Sequence, residues 1–162
     1  VGLDLHNIIA IAMPDAVLVA HKDSAQNVKK VVTHLKENSV PQAEIFPKDH
    51  RPWGWFESLA IGDRFQVKRI SVKPGAALSL QSHKFRSEHW VVVQGKAKVT
   101  LDNKIFYLSE NESTYVNSGT IHRLENDTHN ILIIIEVQTG SYLGEDDIIR
   151  LEDDFKRQSD DF

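Results

Sequence analysis

Gln81, His83 and Glu88 fall between Gly75 and Gly95 in the pattern G-x5-Q-x-H-x4-E-x6-G, and His122 follows in a second cluster, Asn117-x-Gly119-x2-His122-x3-Asn126. Side chains of a strand alternate faces, so Gln81 and His83 look the same way, and Glu88 returns after a short turn. Two imidazoles, one carboxylate and one amide oxygen make a mixed N/O donor set for a divalent first-row cation: zinc first, with cobalt, manganese, nickel or iron as alternatives. Gln81 is neutral, so with Glu88 as the single anionic ligand the site keeps a net positive charge and remains a strong Lewis acid. Four protein ligands would close a tetrahedral site; catalysis then needs a further coordination position or one weak ligand, and Gln81 is the weak one.

These side chains need strands to converge, and from Phe65 onward the apolar period is two. Candidate strands run over 65–72, 77–83, 88–94, 97–101, 104–108, 113–116, 121–126 and 131–138, separated by Pro74-Gly75, Gln94-Gly95, Asp102-Asn103, Glu110-Asn111 and Asn126-Asp127. Eight short strands at this spacing predict an all-β double-sheet jelly roll or similar barrel. Ahead of it lies an α/β arm with one helix. Asp23 and Gln26 resemble the ends of a capping box, and Val28, Val31, Val32 and Leu35 form an amphipathic stripe that predicts packing, closed by Asn38, Ser39 and Pro41. Glu145 to Arg157 reads as a short helix or a strap over the barrel.

The 162 residues suffice for one domain plus this arm. Composition is that of a globular protein, and no apolar run approaches the roughly 20 residues of a membrane span. There is no cysteine, which removes disulfides and thiolate zinc sites and makes cytoplasm the expected compartment. The formal charge is −4, with eight acids against three bases after residue 140, so neither nucleic acid nor a membrane is an expected partner. The chain opens on Val1 without a basic signal region and reads as a segment of something longer.

The two clusters resemble the paired motifs of the cupin superfamily, with Gln81 where the first His usually stands and Asn117 in place of the usual Pro. Arg51-Pro-Trp-Gly-Trp55, Val67-Lys-Arg-Ile70, Leu78-Ser-Leu-Gln81, Arg86-x-Glu-His-Trp90, Ile135-Glu-Val-Gln138 and Tyr142-Leu-Gly-Glu-Asp-Asp-Ile148 occur in order. Together they are similar to the type II phosphomannose isomerases, the C-terminal part of bifunctional mannose-1-phosphate guanylyltransferase/mannose-6-phosphate isomerases. The resemblance implies a cupin-type barrel over residues 51–157, a connector from the guanylyltransferase half over 1–50, and a tail at 158–162. The Gly-rich nucleotide loop of that half is absent, so this chain alone is not expected to transfer GMP.

What the resemblance implies is isomerisation of mannose 6-phosphate and fructose 6-phosphate at a metal held by Gln81, His83, Glu88 and His122, feeding GDP-mannose and polysaccharide synthesis. Arg86, expected at the barrel rim, suits the phosphate or the enediolate, with Lys84 and Lys68 as weaker phosphate candidates. For the general base, Glu136 and His89 both stand open, although strand parity turns His89 outward if Glu88 points in. Arg51 to Trp55 is expected to pack as a lid rather than to stack on sugar. His6, His21, His34, His50 and His129 share no ligand spacing. The competing reading is a noncatalytic sugar-sensing or oligomerisation module, for which a homodimer is the natural partner state. An iron-dependent redox cupin is disfavoured by Gln81, and a metal-free epimerase has no need of four convergent ligands.

Overall fold

The structure, a computed structural model, describes residues 1–13, 15–44 and 46–152. The chain divides into two compact units, Val1–Pro47 and the part from Lys48 onward. In the first, β1 (Ile8–Ala12) and β2 (Val17–His21) form an antiparallel pair, followed by a 3-10 turn over Lys22–Asn27 and helix α1 (Val28–Glu37). No capping box forms. His21 Nδ1 caps the 3-10 turn by accepting from the Asp23 N–H, and Asn27, at the start of α1, makes no side-chain cap. The Val28–Leu35 stripe exists, but no residue of α1 is buried, and Val31 stays 52% exposed. The packing predicted for it is partial: Val28 and Leu35 are half-buried, Val31 and Val32 exposed.

The second unit contains β3 (Lys48–Arg51), β4 (Gly54–Gly62), β5 (Phe65–Val72), β6 (Leu80–Ser82), β7 (Arg86–Gln94), β8 (Ala97–Leu101), β9 (Lys104–Leu108), β10 (Ser113–Val116), β11 (His122–Glu125), β12 (Leu132–Gly140) and β13 (Ile149–Glu152). One sheet has the order β10-β7-β12-β5-β4-β3 and the other β13-β6-β11-β8-β9, and every pairing is antiparallel. Alternation does the sorting: in β7, Arg86, Glu88, Trp90 and Val92 are buried while His89 and Val93 face out. The core takes Ile70, Val72, Trp90, Val92 and Ile134 from the first sheet and Ala97, Val99, Leu108 and Leu124 from the second. Burying each larger apolar side chain stabilises the unit by about 1.5–3 kcal/mol.

Two expectations change here. Arg51–Trp55 packs as expected but as a hairpin turn from β3 into β4: Arg51 and Trp53 line the interior cavity, Trp53 joins the core, and Trp55 turns out between Lys48, 3.8 Å from its ring centroid, and Arg69. The expected strand 77–83 contracts to β6, because Ala77 makes only an isolated bridge to Glu125. Residues 145–147 form a 3-10 turn and β13 joins β6, so the strap reading holds up to Glu152; Phe155, Arg157 and the 158–162 tail lie outside the described residues. Gly140 sits opposite Arg86, where a Cβ would run into the Phe85 carbonyl, so glycine lets β12 close on the start of β7.

Candidate metal centre

His83 follows β6, Glu88 lies in β7 and His122 opens β11, and the three buried side chains offer donor atoms all within 4.8 Å of one another. The chain path explains the convergence. Gly119, at φ +81°, turns the backbone so that its N–H donates to the His83 carbonyl at 2.7 Å, tying the second cluster to the first. His122 then stands directly across from Gln81 in the β11–β6 register, so both side chains share the interior face. Gln81 lines the interior cavity beside Glu88, and its Oε1 accepts the Ser79 hydroxyl at 2.8 Å.

The donor chemistry fits a cation. Both His83 ring nitrogens and His122 Nε2 are buried without a hydrogen-bond partner, an arrangement costly for imidazoles that hold nothing. His122 Nδ1 lies 2.9 Å from the Thr120 carbonyl, which fixes the proton there and leaves Nε2 as a bare lone pair facing the cluster. His83 Nε2 lies 3.0 Å from Glu88 Oε1, close but without the alignment of a hydrogen bond. Burial alone would raise the Glu88 carboxyl, but His83, His122 and the Arg86 guanidinium outweigh it and hold Glu88 well below the usual carboxylate range. Burial lowers the His122 imidazole, favouring the neutral form that ligates metals.

Arg86 is not at the rim. It is 2% exposed, with Nε donating to Glu88 Oε1 at 3.1 Å and NH1 to the Gly144 carbonyl at 3.0 Å, because it is the first inward residue of β7. Lys68 is likewise buried rather than solubilising: it lines the cavity, bonds Glu145 Oε1 at 2.6 Å and lies 4.8 Å over the Phe56 ring. Glu136 is buried on the same wall, and burial, then the charge of Glu88, push its carboxyl well above the usual range. Lys84 and His89 are not brought in. Lys84 is exposed and contributes only its backbone N–H to Asp147; His89 is exposed and packs edge-on against Tyr115. His6, His21, His34, His50 and His129 are exposed and outside the cluster.

Sequence reasoning gave no role to Gln138, Arg150 or Glu145, all of which line the cavity. Gln138 was recoverable, since it shares parity with Glu136; Arg150 was not, because its place opposite Gln81 depends on β13 pairing with β6.

Residues 36–153 match the family described as mannose-6-phosphate isomerase C-terminal. The chain belongs to that family. As a member of the mannose-6-phosphate isomerase C-terminal family it carries, over residues 1–35, a further match to the mannose-phosphate isomerase/GMP-like β-helix domain. It is 52% identical over 159 residues to alginate biosynthesis protein AlgA of Pseudomonas syringae pv. tomato, covering 98% of this chain and 32% of that protein. Xanthan biosynthesis protein XanB of Xanthomonas campestris pv. campestris is 52% identical, with coverages of 94% and 33%. Mannose-1-phosphate guanylyltransferase of Escherichia coli is 48% identical, with coverages of 93% and 32%. The chain thus spans about a third of the length of the curated relatives it matches. Among solved structures, oxalate decarboxylase of Bacillus subtilis aligns with TM-score 0.58 at 20% identity, covering 64% of this chain and 29% of that one. The cupin domain of Schizosaccharomyces pombe Cnp3 aligns with TM-score 0.51 at 18% identity, covering 53% and 64%. These likenesses establish the cupin-type double-sheet fold expected from the motifs.

Proposed function

We propose that this domain interconverts mannose 6-phosphate and fructose 6-phosphate with a divalent cation, zinc first among the candidates. The observation that carries the reading is that Glu88 joins two groups: buried imidazole nitrogens of His83 and His122 without a hydrogen-bond partner, and a cavity wall bearing two buried cations and a second carboxyl. His83, Glu88 and His122, with Gln81 as the weak fourth ligand, would hold the cation, which supplies a Lewis acid for the C1 and C2 oxygens.

The interconversion moves one proton from C2 to C1 through a cis-enediolate, and a second from the C2 hydroxyl to the neighbouring C1 oxygen. Glu136 is the carboxyl left on the wall once Glu88 is counted with the donor set and Glu145 with Lys68; a cation beside Glu88 would offset the charge that favours its neutral form, and as the carboxylate it takes the proton from C2 and returns it at C1. Arg86, fixed by Glu88 and Gly144, keeps a permanent positive charge beside the reacting carbons and favours the enediolate. Lys68 exchanges Glu145 for the phosphoryl oxygens of the substrate. Lys84 and His89 take no part.

The names of the longer relatives support placing the step in GDP-mannose supply for surface polysaccharides, beside a guanylyltransferase activity elsewhere in the longer protein. No helix of the described residues is long and apolar enough to cross a membrane; a cytoplasmic homodimer is the proposed setting. The test is a coupled isomerase assay together with exchange of the C2 proton in deuterated water, before and after chelation and metal return. Turnover lost to chelator and restored by zinc is expected. Folded, metal-loaded protein with neither turnover nor exchange refutes the proposal.

A further inference from the structure

Glu88, Trp90, Glu136 and Gln138 form a square on the inner face of two neighbouring strands. In the β7–β12 register Trp90 stands opposite Glu136 and Glu88 opposite Gln138, so the two carboxyls occupy one diagonal and the two N–H donors the other. Every side of the square is a hydrogen bond. Trp90 Nε1 donates to Glu88 Oε2 and to Glu136 Oε1, both at 3.1 Å, while Gln138 Nε2 donates to Glu88 Oε1 at 3.2 Å and to Glu136 Oε2 at 2.9 Å. All four side chains are at most 5% exposed. Each carboxyl therefore has one oxygen held by the indole and the other by the amide. The Gln138 amide is fixed in orientation, since both of its hydrogens are committed to carboxyl oxygens.

Packing alone does not require this pattern. A phenylalanine would supply the aromatic bulk at position 90 and a methionine the length at 138, yet either would leave two buried carboxyl groups face to face with a donor missing. Trp90 does not line the cavity, so it can act only through the groups it holds. Its ring also meets His122 edge-on with centroids 5.6 Å apart, placing the square against the imidazole cluster.

Resting on the isomerase reading above, we propose that Trp90 and Gln138 are positioning residues, a pair of donors that holds Glu136 at one fixed place beside Glu88. The carboxyl that handles the substrate proton is thereby kept separate from the one that faces the imidazoles. Loss of either donor lets Glu136 rotate, and near-attack geometry at C2 is lost while substrate and cation are still bound.

The test uses the full chain, metal-loaded, with Trp90→Phe and Gln138→Met. Each is expected to lower kcat and the rate of C2 deuterium exchange at least about tenfold, to leave KM within about twofold, and to retain the wild-type zinc content. A lowered melting temperature with unchanged kcat makes the square purely structural and overturns the proposal. Activity that falls only in proportion to lost zinc overturns it too. Should a variant not fold, the wild-type indole N–H resonances serve: that of Trp90 moves on Glu136→Gln and on adding fructose 6-phosphate, and a resonance unmoved by both overturns the proposal. A wild-type chain that neither turns over nor exchanges refutes the isomerase reading itself, a result distinguishable from active wild type with unaffected variants.

Discussion

Replacing Glu88 by glutamine removes one charge with almost no change of shape, and the structure says what that charge holds. The carboxylate accepts from Arg86 Nε and Trp90 Nε1 at 3.1 Å and from Gln138 Nε2 at 3.2 Å, at 2% exposure. In the amide, the oxygen best stays toward Arg86 and Gln138, which turns the new NH2 group against the Trp90 N–H and loses that bond. The two remaining bonds fall to roughly half strength once the acceptor is neutral. Arg86, itself 2% exposed, is left without its counter-charge, and breaking a buried ion pair in this way costs about 3–5 kcal/mol. Relief of repulsion with Glu136 offsets little of this, because burial, then the charge of Glu88, already hold Glu136 toward its neutral form. Glu88→Gln should therefore destabilise the metal-free chain by about 3–5 kcal/mol. At roughly 2–4 °C per kcal/mol, that lowers the melting temperature by about 6–20 °C. The measurement is denaturant unfolding at pH 7 in excess chelator, so that loss of cation binding does not enter. A double-mutant cycle with Arg86→Met isolates the pair. A loss below about 1 kcal/mol, the scale of an exposed pair, would refute the claim that Glu88 neutralises a buried arginine.

Three further outcomes follow from the same geometry. Lys68→Met should raise KM for the sugar phosphate about tenfold or more while leaving bound zinc unchanged, since removing a charged hydrogen bond is worth about 1.5–3 kcal/mol; kcat-only loss would contradict a phosphate role. His89→Ala should leave kcat and KM within about twofold, because the ring faces away from the cavity; steady-state kinetics with a tenfold loss would restore His89 as a candidate base. For Glu145, burial alone would raise the carboxyl, but Lys68 overcomes this and holds it below the ordinary value of 4.5. A depressed carboxylate contributes stability above its unfolded pKa of about 4.3, lost as pH falls through the folded value. The stability difference between the wild type and Glu145→Gln should accordingly be flat above about pH 5.5 and shrink below about 4.3; urea midpoints across that range that do not converge would break the argument.

The strands from Phe65 to Val116 were legible because one face of each is buried, so the sequence must alternate: β5, β8, β9 and β10 have the limits their patterns predict. The same parity rule turned His89 outward and Glu88 inward before any coordinates were needed. Where alternation is masked, reading failed. Trp53-Gly54-Trp55 looked like a turn crowded with aromatics, and only the β3–β4 hairpin shows that one indole enters the core while the other lies between Lys48 and Arg69. The stripe of α1 predicted a helix correctly and its packing only in part, because periodicity fixes which side chains share a face and says nothing of what meets it.

The candidate donor set was legible in the sequence: residue type, a two-residue spacing and two glycines point Gln81, His83 and Glu88 to one interior face. Only tertiary structure decided what surrounds them. Arg86 moved from the rim to a buried partner of Glu88, Lys68 from the surface to the cavity wall, and Glu136 and Gln138 into a square with Glu88 and Trp90. Those placements depend on the register between β7 and β12, whose facing residues in the square are 46 and 50 positions apart, and on residues 144–147 folding back over the barrel. Local spacing dictates which way a side chain points; the pairing of distant strands dictates which group it meets there, and the chemistry of a buried charge is set by that neighbour.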